Sequence, residues 1–167
     1  MLWKSSKFEA KVVFGTRSST GFVDLGTDHD TAEFAVHSIS IWWNTVGKNT
    51  FPNATKLFIT CDCGGSNGYR LKLWKYQLQQ FANSIGLEIH ISHFPPGTSK
   101  WNKIEHRLFC FISKNWQGRP LIDVGTAINL IGSTITTKGL KVICKRDDTK
   151  YKLAKKVTEE QFQSIKL

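Results

Sequence analysis

The sequence predicts an α/β fold in which strands and helices alternate around a largely parallel sheet, and three observations predict it. Short apolar runs of strand character, such as Leu57-Phe58-Ile59, alternate with segments whose apolar residues recur at helical spacing. Glycine and proline clusters punctuate the changes from one pattern to the next. The composition, 40 % hydrophobic and 12 % aromatic over 167 residues, suffices for one buried core and excludes a disordered chain. Alternation of this kind implies βαβ units.

Each element follows in order. Lys11-Val12-Val13-Phe14 reads as a short strand and Thr20 to Leu25 as a second, with Gly15 to Ser19 as the turn. Asp30 is placed to cap the first helix, with Glu33 three residues on as in a capping box. Ala32, Val36, Ile39, Trp43 and Val46 then keep the helical period until Gly47 ends it. Lys56 to Asp62 reads as a strand buried on both faces, because its apolar run is continuous. It stops at the loop Gly64-Gly65-Ser66-Asn67-Gly68. Leu71, Trp74, Leu78, Phe81 and Ile85 mark a second helix, closed by Gly86. Leu87 to His93 alternates as a strand, and Pro95-Pro96-Gly97 breaks the chain. A third helix from Thr98 or Ser99 carries Trp101, Ile104, Leu108 and Ile112 on one face, and a fourth spans about Asp123 to Ser133. The tail is basic: Lys138, Lys141, Lys145, Arg146, Lys150, Lys152, Lys155 and Lys156 face only Asp147 and Asp148 before Glu159.

The net charge of +10 favours acidic partners such as nucleic acid. No apolar run approaches the roughly 18 residues of a membrane span, and the first residues lack the apolar core of a signal peptide. The four cysteines, Cys61, Cys63, Cys110 and Cys144, form no paired framework and are expected as reduced thiols. A zinc site built on Cys61 and Cys63 is the weaker alternative.

Two acids stand out. Asp62 ends an apolar strand just before a glycine-rich turn, where ligands of parallel sheets sit. Glu105 lies on the apolar stripe of the third helix, where a charge requires a partner. Turn capping accounts for Asp62, and Lys103, His106 or Arg107 for Glu105, if neither is functional. If both are, a hard divalent cation such as Mg²⁺ shared between them is the natural partner. Asp28-His29-Asp30 looks metal-like, but helix capping explains Asp30. His90 and His93 fall on opposite faces of a strand and cannot chelate together. The Gly64–Gly68 loop matches no phosphate-binding fingerprint, which weakens a nucleotide-binding enzyme as an alternative. Trp42, Trp43, Trp74, Trp101 and Trp116 read as core rather than base-stacking platforms, with Trp101, which follows the loop beside the proposed site, as the best exception.

Three segments carry a family resemblance. They are Gly26-Thr27-Asp28-His29-Asp30-Thr31-Ala32-Glu33-Phe34, Thr60-Cys61-Asp62-Cys63-Gly64-Gly65-Ser66-Asn67-Gly68, and the long motif from His93 through Pro95-Pro96-Gly97-Thr98-Ser99-Lys100-Trp101-Asn102-Lys103-Ile104-Glu105 to Phe109. They resemble signature segments of the ISAzo-type branch of bacterial insertion-sequence DDE transposases. The resemblance implies a ribonuclease-H-like mixed sheet flanked by helices, and DNA cleavage and strand transfer with Mg²⁺ or Mn²⁺. It makes Asp62 the second catalytic Asp and Glu105 the catalytic Glu, both as metal ligands. Lys100, Lys103, Arg107, Lys141, Lys145, Arg146, Lys155 and Lys156 are the expected DNA contacts. Transposon ends and target DNA are the implied partners, with self-association as a further one and a cytoplasmic, nucleoid-associated location.

One departure qualifies this. The family's first catalytic Asp lies on an opening strand ahead of the Gly26–Phe34 motif, and the likeness here runs from about Gly21. The expectation is therefore a poorly matched segment 1–20, a truncated catalytic domain 21–137 lacking its first strand, and a basic extension 138–167, inactive alone. Asp24 and Asp28 are the local acids that could stand in for the missing one. A DNA-binding remnant without catalysis is the rival reading.

Overall fold

The computed structural model describes residues 8–119 and 123–166. In chain order its elements are β1 (Glu9–Gly15), β2 (Thr20–Gly26), α1 (Ala32–Trp42), α2 (Lys48–Thr50), β3 (Lys56–Asp62), α3 (Lys72–Ile85), β4 (Glu88–Phe94), α4 (Cys110–Trp116), α5 (Val124–Gly132), β5 (Lys141–Asp147) and α6 (Glu159–Gln163). They divide between two compact units, Met1–Asp28 with Lys100–Lys150, and His29–Ser99 with Tyr151–Leu167.

In the first unit, alternating apolar residues build a three-stranded sheet of order β1-β2-β5. β1 runs antiparallel to β2, with Val12 opposite Val23, and β2 runs parallel to β5, with Val23 opposite Cys144. The pairing is thus mixed, as the resemblance implied. β5 was not foreseen as a strand: its lysines gave the tail the look of a solvated extension, yet Val142 and Asp147 are buried. One sheet face, with Ala10, Val23, Leu25 and Val142, packs against Leu108, Ile112, Ala127 and Ile131 of the covering helices. α5 starts as expected, with Asp123 Oδ1 accepting from Thr126 N at 2.8 Å.

In the second unit, α1 and α3 pack together and β3 pairs in parallel with β4, Leu57 opposite Ile89 and Cys61 opposite His93. Gly86 closes α3 in the left-handed region at φ 68°, as its sequence position implied. Two expectations need correction at α1. Its cap is Thr31, whose side chain accepts from Phe34 N at 3.1 Å, and not Asp30. The helix also runs past Gly47: a π-helical turn, Trp43–Gly47, leads into α2. Gly47 is required there by contact, since a Cβ would stand 2.5 Å from the Trp43 ring. β3 is corrected too. Leu57 and Ile59 are half-buried, while Phe58 is 65 % exposed, so the strand is covered on one face only.

The second unit also fastens residues 151–166. Tyr151 packs its ring 5.4 Å from that of Phe34 and shares a 2.6 Å hydrogen bond with His37 Nδ1. Lys155 Nζ meets Glu33 at 2.5 Å and Lys72 Nζ meets Glu159 at 2.7 Å. Thr158 and Gln161 form a capping box on α6. Trp42, Trp43 and Trp74 are buried as expected. No helix among the described residues is long and apolar enough to cross a membrane.

Candidate functional site

Asp62 is exposed at the carboxyl end of β3. The chain then turns sharply: Gly65 takes φ 66°, a conformation that strains side-chain-bearing residues, and Gly65–Asn67 forms a single 3₁₀ turn. His93, at the matching end of β4, holds that turn through a 2.9 Å hydrogen bond between Nε2 and Asn67 O. The Tyr69 ring meets His93 edge-on at 6.0 Å, and Arg70 Nε donates to the Tyr69 hydroxyl at 2.8 Å. Cys61 is buried behind the turn. Burial first, and then the Asp62 charge, push its thiol up to about 12, so it stays protonated at neutral pH. Asp30 belongs to the same neighbourhood. Relieved of capping by Thr31, its Oδ2 lies 3.6 Å from where a Gly65 Cβ would be. Sequence reasoning missed this because Asp30-x-x-Glu33 imitates a capping box.

Glu105 sits in the first unit, half-buried, and opens a π-helical turn, Glu105–Phe109, that leads into α4. Such wide turns recur at functional sites. The helix starts later than the sequence suggested. Ser99–Trp101 is a separate 3₁₀ turn, and Asn102 Oδ1 accepts from Ile104 N at 3.3 Å in the manner of an N-cap. Leu108 and Ile112 are fully buried and fix the helix to the sheet, whereas Trp101 is 59 % exposed and off that stripe. Gly21 of β2 makes this contact possible, because a Cβ there would lie 2.5 Å from Leu108 Cδ1.

Asp62 and Glu105 thus belong to different units. Among the described residues, no group of three His, Cys, Asp or Glu side chains could hold a metal ion. Asp24 is fully buried, opposite the buried Lys11 on β1, and Asp28 has Lys150 Nζ at 3.9 Å, so neither is an open ligand. Lys100, Lys103 and Arg107 are exposed, as are Lys141, Lys145 and Lys156. The tail is less free than its composition implied. Arg146 Nε donates to Asp148 at 2.8 Å and holds that carboxyl below its ordinary value, and Lys155 is engaged by Glu33.

Comparison with known protein families adds one finding. The model of the Rhodopirellula transposase DDE domain matches residues 4–167, taking in β1 and all three motif segments. No curated protein and no solved structure matches the chain.

Proposed function

The chain belongs to the Rhodopirellula transposase DDE-domain family, and from that premise we propose that it acts in insertion-sequence transposition, cutting and rejoining DNA by phosphoryl transfer on a ribonuclease-H-like frame. The observation that carries this reading is Asp62: an exposed carboxylate at the carboxyl end of a parallel strand, followed by a turn that glycine allows to approach a ligand closely. Asp62 and Glu105 supply hard oxygen donors of the kind Mg²⁺ or Mn²⁺ prefers. Cations bound there would polarise phosphate oxygens and lower the pKa of an attacking hydroxyl. Lys100, Lys103, Arg107, Lys141, Lys145 and Lys156 neutralise DNA phosphates. Arg146 and Lys155 contribute less, being already engaged by Asp148 and Glu33. Transposon ends and target DNA are the partners, and self-association would bring two ends together.

Two carboxylates are fewer than such a site requires. We infer that the third is carried on an added strand. β1 is an edge strand of its sheet, and β3 has β4 as its single partner among the described residues, so both units have an open edge. The 167-residue chain is then inactive alone. A rival reading, DNA binding without chemistry, draws support from the absence of an acid triad among the described residues. Supercoiled-plasmid nicking combined with Mn²⁺ titration separates them. The chain should bind plasmid, retain Mn²⁺ in a manner weakened by Asp62→Asn or Glu105→Gln, and make no nicks until a strand bearing the third acid is supplied. Mn²⁺ affinity indifferent to both substitutions would favour the rival. Nicking that survives both would overturn the site.

A further inference from the structure

An exposed tryptophan is unusual, because the indole is among the largest apolar surfaces a side chain can remove from water. Of the tryptophans in the described residues, Trp42, Trp43 and Trp74 are buried, yet Trp101 is 59 % exposed. It does not hang on a loose loop. The 3₁₀ turn that carries it is tied to the following helix by a 2.9 Å hydrogen bond between His106 Nε2 and Lys100 O. Asn102, the next residue, caps that helix through Ile104 N. The backbone that carries the indole is therefore tied down ahead of any ligand, which lowers the entropy lost on binding.

Its surroundings specify the ligand. Lys100, Lys103, His106 and Arg107 are all exposed. No salt bridge among the described residues engages Lys100, Lys103 or Arg107. A flat aromatic face among unneutralised cations is complementary to a nucleotide: the base stacks and the phosphates meet the charges. A continuous duplex keeps its base faces stacked within and offers only edges and phosphates. A base can reach an indole face only when it is unpaired or turned out of the helix. We propose that Trp101 is a stacking platform for an unpaired DNA base, with Lys100, Lys103 and Arg107 holding the adjoining phosphates. The inference rests on the reading of DNA as partner and adds the kind of DNA preferred: duplex interrupted by a single-stranded nucleotide.

The test uses fluorescence anisotropy with two labelled probes. One is a dumbbell duplex closed at both ends by non-nucleotide linkers, which presents no unpaired base. The other is the same dumbbell carrying a short unpaired bulge. Base–aromatic stacking predicts that the full chain prefers the bulged probe by about 5- to 100-fold. Trp101→Ala should abolish that preference while leaving dumbbell affinity within about twofold, since the side chain supports no core. Trp101→Phe should keep much of the preference, because a smaller ring still stacks. Replacing Lys100, Lys103 and Arg107 by alanine should weaken both probes alike and flatten the salt dependence. A preference that survives Trp101→Ala, or equal binding of both probes by the unaltered chain, overturns the platform while leaving DNA binding intact. Failure to bind either probe overturns the platform and the DNA reading together.

Discussion

Placement of Glu105 depends on one close contact, and that contact can be measured. A Cβ on Gly21 would stand 2.5 Å from Leu108 Cδ1 and 3.0 Å from Cδ2, far inside normal packing distance. Leu108 is fully buried, so its branch has no open volume to swing into. Gly21→Ala should therefore cost about 1–3 kcal/mol by overpacking. Leu108→Ala removes a fully buried branch and should cost about 2–5 kcal/mol. If one contact carries both effects, the double variant should be less destabilised than the two single costs combined, by roughly 1–2 kcal/mol, because truncating Leu108 opens the space the new methyl occupies. Urea denaturation followed by circular dichroism gives the four corners of the cycle, read at constant m-value. On the proposed metal role of Glu105, which lies one turn before Leu108 on the same helix, Gly21→Ala should also weaken Mn²⁺ retention. Costs that add to within about 0.5 kcal/mol would refute the reasoning and mean that β2 needs glycine there for another reason.

Three further outcomes follow from the same geometry. Thr31→Ala should cost about 1 kcal/mol and Asp30→Ala distinctly less in thermal melts, since Thr31 is the cap; the reverse order would restore Asp30 to that role. Burial pushes both Cys61 and Cys144 up to about 12, so at pH 8 they should react with iodoacetamide roughly a thousandfold more slowly than a thiol of ordinary pKa. Because the folded pKa lies above the unfolded one, the stability linked to these thiols is complete below about pH 9 and lost as pH rises toward 12; Cys144→Ala should lessen that alkaline loss, and an unchanged pH profile would count against it. Replacing Lys141 and Lys145 together should flatten the salt dependence of DNA binding by about 1.8 in log–log slope, while Arg146→Ala, whose charge Asp148 already offsets, should change it by much less.

Much of the fold is legible in the sequence wherever the signal is local. β3 occupies the very span its apolar run marked, α3 ends at the glycine that stops it, and α5 begins at its aspartate cap. The misreadings have physical causes. At α1, Thr31 and Asp30 are both competent caps, and chemistry alone does not choose between adjacent residues. At Gly47 a residue that usually ends helices is instead kept by the Trp43 ring lying against it, a contact visible only in three dimensions. β5 was hidden by its exposed lysines: one face of an edge strand meets water, so its pattern carries half the apolar signal of a central strand.

The candidate site shows the same division. Asp62 and Glu105 were each recognisable as unusual acids, because a strand end and an apolar helix stripe are local features. What local features leave open is the company each acid keeps. β3 makes the point through its own burial. Its Leu57-Phe58-Ile59 run has the composition of a strand covered on both faces, yet Phe58 remains 65 % exposed and β4 is the one strand paired with it among the described residues. Full burial of a phenylalanine stabilises by about 1.5–3 kcal/mol, and a two-stranded sheet is marginal by itself. The run is thus written for more cover than the second unit supplies on its own. A strand added at the open edge of β3 would satisfy its unpaired N–H and C=O groups and bring side chains alongside Phe58. An acid on such a strand, level with Asp62, would add a further oxygen donor to the proposed site.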